Sequence, residues 1–163
     1  MGMQLPGMLI TLLDELGYTW PEGDETKLFE LGRLWMGLSS TLKSGTAALD
    51  GPAQGVWAQN QGDAVEAFKA KWTDQNFASV NLADAGDDVV LVGIGVFISA
   101  AIVLALKITV IVQLIILAIQ IAQAIATAGP SFGATLAEIP IFKAITGVII
   151  DQIINMAIEE LLG

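Results

Sequence analysis

The sequence contains neither cysteine nor histidine. Without cysteine there is no disulfide and no thiolate nucleophile, and the redox compartment leaves no mark. Without either residue, Cys/His zinc sites and histidine-activated nucleophiles have nothing to be built from. Basic residues are few: 7 Lys and Arg stand against 17 Asp and Glu, for a net charge of -10. A phosphate backbone needs a basic face, so nucleic acid is excluded as a partner. Adsorption to anionic lipid is disfavoured for the same reason. Met1 to Leu16 has no basic n-region and no small-residue cleavage site, so no cleavable signal peptide is expected. No stretch alternates with the period of a strand. The acidic pairs Asp14-Glu15, Asp24-Glu25, Asp87-Asp88 and Glu159-Glu160 fall at helix starts or on polar faces, where solvated carboxylates belong. These absences lead to an expectation of no enzyme: no catalytic, cofactor-binding or metal-ligating residues, no cofactor and no small-molecule substrate.

What is present is apolar. Hydrophobic residues make up 54 % of the chain, above the share usual in soluble domains. Residues 1–88 hold 13 acids and 5 bases, a balance of -8, and residues 89–163 hold 4 acids and 2 bases, a balance of -2. The expectation is one domain over 1–163, with an acidic hairpin half (1–88) and an apolar half (89–163). Val89 to Ala128 contains forty residues and one charge, Lys107. It predicts one helix roughly 60 Å long at ~1.5 Å per residue. Its first 18 residues reach the lower limit for crossing a hydrocarbon core. Thr109, Gln113, Gln120 and Thr127 are spaced 4, 7 and 7 and fall on one stripe. That stripe reads either as a buried or solvent-facing seam or as the lining of a polar path through an assembly. A lone lysine costs ~2.5–3.5 kcal/mol at a bilayer centre. A homo-oligomer that associates with membranes, its stripes turned to an inter-helix or lumen face, answers that cost.

Along the chain, Pro6 opens a short helix with an apolar face (Met8, Leu9, Leu12, Leu13, Leu16), and Gly17 stops it. Tyr18 and Trp20 are expected to anchor it on the second helix. Asp24 is placed to cap that second helix. Leu28, Leu31, Trp35, Leu38, Leu42, Gly45 and Leu49 then run at alternating spacings of 3 and 4, a heptad seam. Gly51-Pro52 is expected to kink or break the helix. Asn60-Gln61-Gly62 is a turn signal, with Asp63 as the next cap. A further helix carries Val65, Phe68, Trp72, Ser79 and Leu82, which makes an antiparallel hairpin. Asp84 to Asp88 is expected to form a joint and to cap the apolar helix. After the break at Gly129-Pro130 comes a short turn, Thr135 to Ile139. A last helix, Ile141 to Leu162, is polar on one side through Asp151, Asn155 and Glu159.

VWAQNQGDAVEAFKAKW (Val56 to Trp72) lies between two seam helices, with Trp57 before the turn at Asn60 and Gly62. It resembles the WXG superfamily of helical hairpins exported by type VII secretion. It is most similar to the longer domain at the N-terminus of actinobacterial polymorphic toxins, including the outer-membrane channel protein with a C-terminal necrotising toxin. The opening LPGMLITLLDELGYTWPEGDETKL (Leu5 to Leu28), the run Gly62, Ala64 and Ala67-Phe68, and LALKITVIVQLIILAIQIAQA (Leu104 to Ala124) match that subgroup. Gln59 stands where a strict Trp-x-Gly has glycine, and the family's Tyr-based export signal after the hairpin is missing. No toxin domain follows Gly163, which leads to the expectation that this is one domain of a longer product. The expected fold is all-α: an elongated helical bundle with a WXG-like antiparallel hairpin, one long apolar helix and a C-terminal amphipathic helix. The resemblance implies a non-enzymatic trafficking module of a type VII-secreted toxin. The composition adds membrane association, with pore formation as an oligomer. Expected partners are copies of itself, a small helical WXG-type protein, or both, and a membrane. The expected location is secreted by a signal-peptide-independent route, or membrane-associated. The alternative is a soluble helical scaffold that buries its apolar helices against a partner or itself.

Overall fold

Pro6, Gly17, Gly62 and the Gly129–Gly133 break divide the chain where their backbone chemistry requires it. The computed structural model describes residues 2–163, so Met1 lies outside the described residues. The helices are α1 (Gly7–Glu15), α2 (Glu25–Gln59), α3 (Asp63–Trp72), α4 (Ala78–Ala126) and α5 (Ile139–Leu162), the last preceded by a 3-10 turn, Ala134–Glu138. No strand occurs among the described residues, and the fold is an all-α bundle. Asp24 caps α2 by accepting a hydrogen bond from the Lys27 amide at 3.1 Å. Gly17 and Gly62 take the positive φ values, 86° and 121°, that a side chain would resist.

Three local expectations are corrected. Helix α2 runs through Pro52 without a break. Contacts with the other arm flank the proline on both sides: Asp50 to Trp72 before it, and Trp57 to Phe68 after it. The interruption in the second arm falls at Thr73–Phe77 rather than at Asp84–Asp88. There the Asp74 carboxylate accepts from the Asn76 amide at 2.8 Å, and the Phe77 amide donates to the Asp74 carbonyl. This aspartate turn competes with the helix. Helix α4 therefore starts at Ala78 with no acid in its first turn. Asp63 lies inside the first turn of α3, and the cap position is Gly62.

The chain packs as two units. Residues 28–98 form the hairpin unit, in which α2 runs antiparallel to α3 and the start of α4. Partners climb one arm as they descend the other: Phe29 with Phe97, Gly32 with Gly93, Ser39 with Gly86, Asp50 with Trp72, and Trp57 with Phe68. The described residues up to Lys27, together with Ser99–Gly163, form the apolar unit. Its core is Leu5, Leu9 and Leu13 from the N-terminal segment, Val110 and Leu114 from α4, and Ile150 from α5. Tyr18 donates its hydroxyl to the Gly147 carbonyl at 3.0 Å, so it ties the N-terminal segment to α5 rather than to α2. Packing thus draws residues 2–27 to the apolar helix, and the boundary does not follow the change of charge at residue 88.

Candidate partner-binding face and buried polar centre

The inner surface of the hairpin is made of small residues at heptad spacing. Gly32, Ser39, Thr46 and Ala53 recur every seven residues on α2, and Ser79, Gly86 and Gly93 recur every seven on α4; all seven are buried. The Ser39 hydroxyl donates to the Gly86 carbonyl at 2.6 Å. A Cβ added at Gly93 would lie 3.3 Å from the Gly32 carbonyl oxygen. The two helices meet backbone to backbone, in the way small residues permit.

The leucine seam read from the sequence lies beside this contact. Leu28, Trp35 and Leu42 are half-buried, while Leu31, Leu38 and Leu49 are exposed. Leu34, which the heptad reading passes over, is 70 % exposed. Leu31, Leu34, Leu38, Leu49 and Val56 share one side of α2. On the opposite arm Val65, Trp72 and Leu82 are half-buried and Phe68 is exposed. At the turn, Asn60 and Gly62 are exposed and Trp57 is half-buried. Trp57 begins an aromatic ladder: 5.8 Å between ring centres to Phe68, 5.6 Å from there to Trp72, and 5.2 Å on to Phe77. The small-residue heptads were the signal the sequence reading missed, hidden by the larger leucines one position away.

The apolar unit holds one buried polar centre. Lys107 is 2 % exposed. Its Nζ lies 2.8 Å from Glu25 Oε2, donates to the Gly23 carbonyl at 2.5 Å and to the Met3 carbonyl at 3.4 Å, and sits 5.7 Å from the centre of the Trp20 ring. The Met3 amide donates to the other Glu25 oxygen, and Trp20 Nε1 donates to the Met3 carbonyl at 3.3 Å. Burial opposes ionisation of Glu25, but the Lys107 ammonium and the amides of Met3 and Glu25 outweigh it and hold the carboxyl down at about 2. Both charges of the pair are partnered, and the centre clasps the N-terminal segment and the start of α2 to α4.

Of the polar stripe, Thr109, Gln113 and Gln120 are half-buried and Thr127 is exposed. The two hydroxyls bond back to their own helix, Thr109 to Ala105 at 2.8 Å and Thr127 to Gln123 at 2.8 Å. Thr109 also lines a shallow groove with Met156 and Glu160 of α5. The unit also exposes aliphatic residues, among them Ile119 and Ile125 on α4 and Ile145 and Val148 on α5.

The family model described as a WXG100 like domain matches residues 5–148. No curated protein and no solved structure matches the chain.

Proposed function

The chain belongs to the WXG100-like family, and from that premise we propose that it is the non-enzymatic trafficking and translocation module of a type VII-secreted toxin. Membership implies a secreted helical protein related to type VII secretion. Such proteins are generally non-enzymatic and typically pair with helical hairpin partners. One observation carries the proposal: the hairpin closes through glycine, serine and alanine and leaves Leu31, Leu34, Leu38 and Leu49 exposed in a row. An apolar row of that kind is what a second helical hairpin covers. In this reading the partner also supplies the export signal that this hairpin lacks. Co-purification with small helical proteins of the same secretion locus tests it. The native chain is expected to form a complex of defined mass, and Leu34→Asp/Leu38→Asp is expected to melt normally but stay alone. A native chain that stays a monomer with every such protein removes the proposal.

A second observation favours membrane association for the apolar unit. Helix α4 and the segment Ala134–Leu162 are each long and apolar enough to cross a bilayer, and only 11 % of each most apolar window is buried. In this reading copies assemble with Thr109, Gln113, Gln120 and Thr127 turned toward one another or a lumen. Among the described residues the Gln113 and Gln120 amides make no hydrogen bond, which leaves them for such contacts. Liposome flotation with mass measurement tests this. A monomer that ignores liposomes leaves the soluble scaffold in its place, and a Gln113→Leu/Gln120→Leu chain that assembles and conducts normally removes the stripe from any pore.

A further inference from the structure

The hairpin unit carries a cavity of about 330 Å³ beside the aromatic ladder, lined by Asp50, Gln54, Trp57, Trp72, Thr73 and Ser79 among others. That volume is at the small end for ligand sites and suits one side chain better than a cofactor. Among the described residues, Asp50 is the only ionisable one that lines the cavity. Trp72 Nε1 donates to Asp50 Oδ1 at 3.0 Å, which orients the carboxylate. Asp50 has no ion pair among the described residues, and its second oxygen accepts no hydrogen bond. Trp57 and Trp72 line the same space. A held carboxylate in a space that two indoles also line matches a planar cation, which can pair with the oxygens and stack on a ring.

We propose that this cavity receives an arginine guanidinium presented by a helical partner; the inference rests on the partner reading above. Arginine fits better than lysine, because its flat, weakly hydrated head makes both contacts at once. An apolar side chain would cover Asp50 without neutralising it, which is costly. The hairpin unit itself holds 8 acids and 4 bases over residues 28–98, and this acidity also draws a basic partner by its long-range field. A second copy of this chain could offer only Arg33, its one arginine.

The probe is N-acetyl-argininamide titrated onto the full chain, followed by the indole N–H resonance of Trp72. N-acetyl-citrullinamide, of the same shape without the charge, is the control. The expected result is a saturable shift at least tenfold tighter for the arginine compound. It should be lost in Asp50→Asn, whose amide oxygen still accepts from Trp72, and in Gln54→Lys, which brings a competing ammonium to the mouth. Equal responses to the two compounds, or undiminished binding in both variants, overturn the proposal. So does a dimer of the native chain that disappears in Arg33→Ala, because it assigns the cavity to a second copy. A partner complex that persists at native strength in Asp50→Asn overturns this assignment while the leucine-face reading stands. A chain that pairs with nothing removes that reading on its own evidence.

Discussion

In the hairpin unit the contact between α2 and α4 is lined by Gly32, Ser39 and Thr46 facing Ser79, Gly86 and Gly93. In the apolar unit α4 is covered by leucine and isoleucine from α1 and α5, and the one charge on that stretch is clasped inside. The same helix, α4, supplies both surfaces. The first kind of contact brings backbones close and spends few large side chains, so leucines are left over on the outside of α2. The second consumes large side chains and shuts out water, so it can hold Lys107 only by meeting each of its needs from Glu25, Gly23, Met3 and Trp20. A hairpin closed by small residues keeps a surface for another chain; a cluster closed by large ones fixes its own interior.

Breaking the clasp is the largest expected effect. Lys107→Met leaves Glu25 buried without its cation and should cost about 3–5 kcal/mol. Adding Glu25→Leu should recover much of that loss. Thermal melting of the single and double variants checks both. If the single variant melts as the native chain does, the clasp is not closed in solution.

Acid probes the same centre. Glu25 is shifted down from 4.5 to about 2. Its stabilising contribution is therefore complete above pH ~4.5 and is lost as pH falls through about 2, on the order of 3 kcal/mol over that window. Denaturant midpoints measured between pH 5 and 2 should fall in the native chain. They should fall much less in the Glu25→Leu/Lys107→Met pair.

The small-residue seam comes next. Gly93→Val pushes its side chain toward the Gly32 carbonyl, 3.3 Å from an added Cβ. Backbone cannot swing aside as a flexible side chain can. We expect a loss of about 1–3 kcal/mol. A melting temperature equal to or above the native value would mean that the helices do not meet there.

The smallest effect on stability sharpens the comparison most. Leu34→Ser should change folding by roughly 0.5 kcal/mol or less, because its side chain is 70 % exposed. Its effect on partner capture should nevertheless be the larger of the two. A strong loss of stability would show that Leu34 belongs to the interior.

Much of this architecture was legible from residue spacing. The α1 stop at Gly17, the Asp24 cap and the turn at Asn60–Gly62 follow from local backbone chemistry that packing does not overrule. The continuity of α2 through Pro52 was not legible, because contacts from the other arm decide it. Asp84–Asp88 looked like a joint because glycine and acids sit together. Gly86 is there instead for close approach: an added Cβ would lie 3.1 Å from Lys43 Cγ, and Asp87 pairs with Lys43 at 2.5 Å. The leucine heptads located α2 but not its inner side, since hydrophobicity ranks leucine above glycine while a close contact ranks them the other way. The partner of Lys107 lies 82 residues away in sequence, beyond any spacing rule.

Backbone-to-backbone closure has a consequence for girth. Helices that touch through glycine and serine sit toward the lower end of the 8–10 Å range of interaxial distances. With helix diameters of ~10 Å, such a pair has a cross-section of roughly 10 by 18 Å. The bare hairpin unit is therefore a slender rod, and an aperture of about 20 Å would pass it without unfolding it. A second hairpin laid along the leucines would roughly double that section.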